Sequence, residues 1–358
     1  MQRIRSLDGL RAIAIIMVLL AHAIETMHST ITKNEVIQLL ADGKLGVQIF
    51  FVISGYLITK LLLIEKEKTG RISLKYFYLR RIFRIFPVFY LYIILVVLLK
   101  IFLIPILFEN YTMVGLAAVY LWNYSVFFNI HLSSTDNVSW FFGHFWSLAM
   151  EEQFYLIWPI ALVKLNNYDL KKLVLAIILV MPFIRVVTYF FLPNSRGQME
   201  MMIQTGGGTI FMGCLGALIE DTNYFKEKVL KIIYNNGIIC FVMIFLFIIS
   251  PMIYQYFGGV YKVPVGNTLD NLAILLLVLW SVYVPTPISN FLNSKILVQI
   301  GVLSYSLYIW QQLFLTTKLN FWVNQFPQNL FVVFLIGFIS YYLIEKPILR
   351  LKNKLVRI

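Results

Sequence analysis

The stretch LDGLRAIAIIMVLLAHA, residues 7–23, combines the apolar run of a membrane helix with an arginine near one end and a histidine near the other. Ten residues separate Arg11 from His22. On an α-helix they differ by about 20° in direction and about 16 Å along the axis, so both lie on one stripe. Charged groups at membrane depth usually face a protein interior or a watery cavity, which makes the stripe a candidate wall of a reaction chamber. The structural alternative is that Arg11 reaches the lipid headgroups while His22 bonds a neighbouring helix.

The composition is that of a membrane protein. Of the 358 residues, 60% are hydrophobic and only 13% are charged, whereas ordinary soluble domains carry about 25% charged residues. Apolar runs of membrane-spanning length recur from the beginning of the sequence to its last thirty residues. We therefore expect an all-α polytopic membrane protein in which residues 1–358 form one integral membrane domain.

The formal net charge of +13 would suggest nucleic-acid binding in a soluble protein. Here Lys and Arg collect in short segments between apolar runs, which is typical of the cytoplasmic loops of membrane proteins. We therefore expect the lipid bilayer, and no nucleic acid, as a partner. Cys214 and Cys240 lie in apolar surroundings without CxxC spacing, so they predict neither a disulfide nor a metal site.

Several segments are apolar and long enough to be candidate spans. They are residues 10–27, 43–64, 83–105, 112–128, 147–165, 170–192, 205–220, 232–253, 268–285, 297–316 and 328–345.

The basic clusters between these segments predict the topology. If every cluster faces the cytoplasm, an even number of crossings must separate each from the next, yet three candidates lie between Arg84 and Lys164. The segment 112–128 is short and carries polar and aromatic residues, so it is the weakest of the three. We predict about ten transmembrane helices in the cytoplasmic (inner) membrane, both termini cytoplasmic, and a re-entrant or interfacial segment near 112–128.

An arginine cluster opens the third candidate span. FYLRRIFRIFP, residues 77–87, holds Arg80, Arg81 and Arg84 just ahead of Pro87. Topology alone would explain basic residues at a cytoplasmic end. Arginine also binds phosphate through paired hydrogen bonds, so the cluster suits a nucleotide-like donor as well.

Three acidic residues are candidates for the same site. HFWSLAMEEQFYLIWP, residues 144–159, carries Glu151 and Glu152, and adjacent residues on a helix point in different directions. At most one of them faces a given cavity, and the alternative is that both complement the helix dipole. Glu25 lies one turn beyond His22 and either orients its imidazole or is an ordinary interfacial glutamate.

Polar side chains recur at helical spacing in GVLSYSLYIWQQLF, residues 301–314. Ser304, Tyr308 and Gln311 form this seam, and with Tyr305 they are candidate cavity-lining residues. Packing between helices is the simpler alternative.

Other catalytic schemes find no support in the sequence. There is no GxSxG elbow, no HExxH pair and no P-loop. The glycines of TGGGTIFMGCLGALIE, among them Gly206, Gly213 and Gly216, favour close helix packing over ligand binding.

Taken together, six stretches in this order resemble the acyltransferase-3 family of integral membrane acyltransferases. They are LDGLRAIAIIMVLLAHA, GVQIFFVISGYLI, YLRRIFRIFP, FWSLAMEEQFYLIWP, LSYSLYIWQ and YYLIEKP, and they cover nearly the whole chain. The resemblance implies transfer of an acyl group, usually acetyl from acetyl-CoA, to extracytoplasmic glycans and some small molecules. It implies acetyl-CoA or another acyl-CoA as a co-substrate and no bound cofactor.

The resemblance also implies roles for particular residues. The family's basic residue, separated from a histidine by ten intervening residues, matches Arg11 and His22, and its R-x-x-R element matches Arg81 and Arg84. Its glutamate before Gln-Phe-Tyr matches Glu152. The family's late Ser-Tyr motif often ends in histidine, and this chain has glutamine at that place.

We find no trace of the SGNH hydrolase-like domain that some members carry. We therefore expect a stand-alone member that transfers the acyl group directly or passes it to a separate acyl-accepting partner protein. The donor is expected to bind from the cytoplasm, with Arg81 and Arg84 holding its phosphates and Arg11 assisting its negative groups. His22 is then the general base on the acceptor hydroxyl, while Glu152 orients His22 or contacts the acceptor sugar.

The residues leave the acceptor and the broader function class open. A surface glycan or lipid-linked glycan such as lipopolysaccharide O-antigen is the first expectation, and peptidoglycan, an exopolysaccharide and a macrolide are alternatives. A transporter or exporter of a glycan or small acid would explain the polar stripes equally well. A third alternative is a structural subunit of a polysaccharide assembly complex.

Overall fold

The computed structural model describes residues 3–128, 130 and 132–355, and within them the secondary structure is helical, with no β-strand. The principal helices are α1 (Arg5–Ala23), α2 (Gly43–Thr69), α3 (Leu74–Phe102), α4 (Tyr111–Ala118), α5 (Val138–Gly143), α6 (Phe145–Lys164), α7 (Asn167–Phe191), α8 (Gly208–Ile219), α9 (Asn236–Phe257), α10 (Gly259–Tyr283), α11 (Lys295–Phe314) and α12 (Gln328–Leu351).

Short helices and turns connect them. They are Ile24–Thr26, Ser29–Thr32, Glu35–Leu40, Pro105–Leu107, Trp122–Phe128, Pro193–Met201, Ile203–Gly206, Phe225–Val229, Leu230–Ile233, Pro287–Leu292 and Trp322–Asn324. The last helical segment, Lys346–Leu355, begins within α12 and extends beyond it.

Seven of the described helical stretches are long and apolar enough to cross a membrane. They are Arg5–Thr26, Glu35–Thr69, Leu74–Phe102, Asn167–Phe191, Asn236–Phe257, Gly259–Tyr283 and Gln328–Leu351. The expectation of an all-helical polytopic membrane protein is confirmed. The predicted spans 147–165 and 297–316 coincide with α6 and α11, which have 20 residues each.

The segment 112–128 does not form one long helix. It contains most of α4, which has 8 residues, and the 3₁₀ helix Trp122–Phe128. About 20 helical residues are needed to cross a bilayer, so neither piece has the required length. The break falls at Tyr120, whose φ of 57° lies in the left-handed region. Its ring stacks on Phe89 at a centroid distance of 4.4 Å, a contact that can offset the cost of this backbone conformation.

The chain divides into two compact units. The first unit comprises the described parts of Met1–Arg11, Val47–Ile72 and Met150–Val298, and the second comprises those of Ala12–Gly46, Ser73–Ala149 and Gln299–Ile358. Each unit draws on three separate stretches of sequence, and α1, α2, α6 and α11 contribute residues to both. The assignment of residues 1–358 to one domain stays a prediction.

In the first unit, glycines allow α2 and α8 to approach closely. A Cβ atom at Gly213 would overlap the carbonyl oxygen of Val52, and one at Gly55 would overlap that of Ile210. A Cβ atom at Gly216 would come within 2.5 Å of the Leu275 side chain. Small residues at such crossings let helix backbones pack directly in a membrane, where lipid is as apolar as a leucine side chain. The packing interpretation of the glycine-rich segment is confirmed.

In the second unit, polar side chains fasten the helices to one another. The Tyr92 hydroxyl on α3 donates to the carbonyl oxygen of Phe141 on α5 at 2.7 Å. Ser306 on α11 donates to Glu345 on α12, which gives the glutamate of YYLIEKP a buried partner. Hydrogen bonds of this kind replace the hydrophobic driving force that helices lack in lipid.

Candidate active site

His22 lies in the last turn of α1, half-buried and with a defined ring orientation. Its Nδ1 atom is 2.9 Å from the carbonyl oxygen of Val18, one turn earlier. A carbonyl oxygen only accepts hydrogen bonds, so Nδ1 carries the hydrogen of the neutral ring and donates it. The lone pair then lies on Nε2. This is the protonation pattern that a general base requires.

Two side chains lie next to the His22 ring within the second unit. Trp140 on α5 meets it edge to face, with centroids 6.0 Å apart and ring planes at 86°. The Trp140 Nε1–H donates to the Gln312 carbonyl oxygen at 3.0 Å, which fixes this contact to α11. The buried Gln311 amide interacts with the His22 imidazole, although neither of its atoms has full hydrogen-bond geometry with a described residue. Gln311 therefore lies beside the base, where the family often has histidine.

A second histidine lies in the same region. His144, just ahead of α6, is 4% exposed and packs against the rings of Tyr92 and Tyr308 at 5.4 and 5.6 Å. It interacts electrostatically with His22. Its carbonyl oxygen accepts a hydrogen bond from the Tyr308 hydroxyl at 2.8 Å, and that hydroxyl also lies 2.6 Å from Ser147 Oγ. Tyr308 thus joins α11 to the beginning of α6.

Open polar atoms are concentrated around this point. The buried side chains of His144, Ser304, Trp310 and Gln311 each have a polar atom that no described residue satisfies in good geometry. Leaving such an atom unpaired in the interior costs about 1–3 kcal/mol. The region is therefore suited to holding a polar ligand.

The arginines of the R-x-x-R element lie on α3 in the same unit. Arg81 and Arg84 are three residues apart, which places them next to each other on one face of the helix. The Arg81 guanidinium lies over the Phe77 ring at 5.5 Å, so its orientation is restrained. The Tyr305 hydroxyl on α11 donates to the carbonyl oxygen of Ile85 at 2.6 Å, which ties α11 to the backbone beside Arg84.

Helix α11 therefore connects the base to the arginines. Through Gln311 it contacts His22, and through Tyr305 it contacts the arginine-bearing turn of α3. The two contact points are six residues apart, or about 9 Å along the helix.

The two adjacent glutamates of α6 differ in their surroundings. In the first unit, Glu151 accepts hydrogen bonds from the Ser54 hydroxyl on α2 and from the Tyr155 hydroxyl one turn later on α6. Glu151 therefore links α2 to α6 through these hydrogen bonds. Glu152 is half-buried on the same helix.

The remaining predicted residues are distributed as follows. Arg11 lies on α1, half-buried, and belongs to the first unit together with Glu152. Glu25 is exposed in the turn after α1 and interacts electrostatically with His22. The second unit brings together His22, Glu25, Arg81, Arg84, Ser304, Tyr305, Tyr308 and Gln311.

Trp140 and His144 were missed by sequence reasoning. His144 stands at the head of HFWSLAMEEQFYLIWP, and Trp140 occurs four residues earlier. Neither has a spacing that relates it to His22, because their contact depends on residues more than a hundred positions apart. For His144, the signal that the sequence offers is a histidine at the head of a largely apolar stretch.

Comparisons with known proteins identify acyltransferases with similar sequences. A family model described as an acyltransferase domain (Acyl_transf_3) matches residues 4–345. The peptidoglycan O-acetyltransferase OatA of Listeria monocytogenes is 30% identical to this chain, with 96% of the chain covered, and the O-acetyltransferase OatA of Staphylococcus aureus is 28% identical, also with 96% covered. A putative O-acetyltransferase of S. aureus strain COL is 28% identical, with 97% covered.

The chain spans little more than half the length of these curated relatives, with 55%, 56% and 57% of each covered. No solved structure matches the chain.

Proposed function

The chain belongs to the acyltransferase-3 family, and on that premise we propose that it is an O-acetyltransferase of the cytoplasmic membrane. It moves an acetyl group from acetyl-CoA to a hydroxyl of a cell-surface glycan. The observation that supports this best is the His22 ring, whose Nδ1 donates to the Val18 carbonyl oxygen and so leaves the lone pair on Nε2. Arg81 and Arg84 in the same unit supply the phosphate-binding groups that a CoA donor needs.

The proposed reaction balances with these residues alone. Nε2 of His22 removes the proton from the acceptor hydroxyl as its oxygen attacks the thioester carbonyl. The carbon–sulfur bond then breaks, and the leaving CoA thiolate takes the proton from the imidazolium. The products are the acetyl ester and free CoA, and His22 returns to its neutral form. Apolar surroundings limit competing hydrolysis of the thioester.

Arg11 and Glu152 have supporting roles in this proposal. Arg11 assists the negative groups of the donor from the inner part of α1. Glu152, which matches the glutamate of the family's motif before Gln-Phe-Tyr, orients the base or contacts the acceptor.

The relatives favour one acceptor over the first expectation. The Listeria protein is named for peptidoglycan, and none of the relatives cited is named for lipopolysaccharide. We therefore propose a glycan of N-acetylated amino sugars, such as peptidoglycan or its lipid-linked precursor, as the acceptor. A separate partner protein that receives the acetyl group first would be compatible with the same chemistry.

The function is tested with the purified chain in lipid nanodiscs, acetyl-CoA labelled in the acetyl group, and a soluble peptidoglycan oligosaccharide. We expect label to appear as an alkali-labile ester on the glycan while free CoA is released in equal amount. A transporter would leave the thioester intact. Intact acetyl-CoA after incubation with a glycan that is itself moved across vesicle membranes would contradict the proposal.

The predicted topology is part of the proposal, since the donor is cytoplasmic. With about ten crossings and both termini cytoplasmic, residue 168 at the start of α7 lies in the cytoplasm. A green fluorescent protein fused after residue 168 is expected to be bright, whereas alkaline phosphatase fused there is expected to be inactive. The reverse pattern would contradict the topology.

A further inference from the structure

A buried polar cluster in the first unit takes no part in the scheme above. It lies where the later part of α7 packs against the beginning of α10. Arg185 on α7 is 4% exposed, and its guanidinium donates a hydrogen bond to Thr268 Oγ1 on α10. The Nε atom of Arg185 has no hydrogen-bond partner among the described residues. A buried guanidinium thus retains an open donor.

Helix α10 contributes two amides to this cluster. Asn267 and Asn271 are four residues apart, so they share one face of the helix, and Thr268 is adjacent in sequence to the first of them. Their exposed fractions are 8% and 5%. Neither Oδ1 atom accepts a hydrogen bond from any residue that the structure describes.

The 3₁₀ segment Pro193–Met201 also packs against α7. The Oε1 atom of Gln198 is buried and likewise has no partner in the described part of the chain. The Glu200 carboxylate attracts the Arg185 guanidinium. Because a nearby negative charge already balances Arg185, the cluster does not require an anionic ligand.

The neighbouring Asp270 is a buried polar residue with a structural role, and its hydrogen bonds provide a comparison. Lys262 Nζ and Ser250 Oγ each lie 2.6 Å from a different oxygen of its carboxylate, so both oxygens are paired. An unpaired buried donor or acceptor is costly, and most buried polar atoms in proteins are paired. The open groups of Arg185 and the two asparagines therefore point to a ligand.

The open donor and acceptors are complementary to the polar groups of an amino sugar. One donor and several acceptors match a ring whose hydroxyls both donate and accept, and an acetamido carbonyl suits the Arg185 Nε–H. In the proposed topology α7 runs outward from the cytoplasm, so this cluster lies near the outer surface, where a cell-wall glycan is found.

We propose that Arg185, Gln198, Asn267 and Asn271 form a binding subsite for an N-acetylated sugar of the acceptor glycan. The inference rests on the proposed function, which supplies the acceptor class. It goes beyond that function by locating a glycan contact in the first unit, on helices that carry none of the catalytic residues.

Asn271→Leu is the most informative variant because it replaces a buried amide whose Oδ1 is open by an apolar side chain of similar size. Such a replacement leaves the fold as stable as the parent or more stable, whereas loss of a structural hydrogen bond would lower the melting temperature. The readout is binding of fluorescently labelled N,N′,N″-triacetylchitotriose to the chain in nanodiscs. We expect the Kd to rise about tenfold, the loss of roughly one hydrogen bond. Asn290→Leu, the same change at an exposed position, is the matched control and is expected to bind like the parent.

Steady-state kinetics give the second readout. Asn271→Leu is expected to raise the KM for the glycan while kcat and the KM for acetyl-CoA stay close to those of the parent. Equal probe binding by Asn271→Leu and the parent, or no binding by the parent, would overturn the subsite. The proposed function fails by a different result, namely that the parent chain leaves acetyl-CoA unreacted in the presence of glycan. Because probe binding is measured without acetyl-CoA, the two failures are distinguishable.

Discussion

Replacing His22 by alanine is expected to lower the rate of acetyl transfer by about 10²- to 10⁴-fold, the usual contribution of a general base. The imidazole carries its lone pair on Nε2, because Nδ1 donates its hydrogen to the Val18 carbonyl oxygen. Its removal leaves the arginines of α3 in place, so donor binding is retained. The measurement is single-turnover transfer of labelled acetyl to glycan, with acetyl-CoA affinity determined separately.

His28→Ala is the matched control for this variant. His28 is exposed, and its ring hydrogen bonds Thr30 in the same turn, so its loss leaves the surroundings of His22 unchanged. We expect the control to transfer acetyl at the parent rate. A His22→Ala protein that folds, binds acetyl-CoA and still transfers within a few-fold of the parent would show that His22 is not the base.

The second large effect is expected from the R-x-x-R element. Replacing Arg81 and Arg84 together by glutamine should raise the KM for acetyl-CoA by about a hundredfold or more, because each charge-assisted hydrogen bond to phosphate contributes about 1.5–3 kcal/mol. The chemical step involves the thioester and the base, so kcat at saturating donor should change much less. The measurement is initial rate against acetyl-CoA concentration at low ionic strength.

A donor without nucleotide phosphates separates phosphate binding from a structural effect. S-acetylpantetheine lacks those phosphates, so its KM is expected to be high and nearly equal in the parent and in the double variant. Arg71→Gln removes an exposed positive charge just ahead of α3 and serves as the matched control. If the double variant impairs acetylpantetheine as strongly as acetyl-CoA, the two arginines do not hold the donor phosphates.

Much of the fold follows from local pattern. The helices α1, α2, α3, α7, α9, α10 and α12 coincide with predicted spans because a run of apolar residues in lipid satisfies its backbone groups only as a helix. Their ends differ from the predicted ones where polar residues extend a helix beyond its apolar part. Helix α3 begins at Leu74 rather than near residue 83, since its basic first turns are helical without being apolar.

The candidate site was predictable only in part. The Arg11 and His22 pair and the Arg81 and Arg84 pair each occur on one helix, so helical periodicity relates the members of each pair. The neighbours of His22 come from distant stretches: Trp140 lies on α5 and Gln311 on α11. No spacing in the sequence connects residues that meet only when three helices pack together.

The sequence by itself therefore determined a helical membrane protein with a basic pair, a histidine and paired glutamates at defined positions, because hydropathy and helical period act within one segment. Tertiary structure decided which residues bond Glu151, which side chains surround His22, and where buried donors and acceptors of the described residues lack described partners. Each of these depends on contacts between segments, which are specified by packing rather than by local sequence.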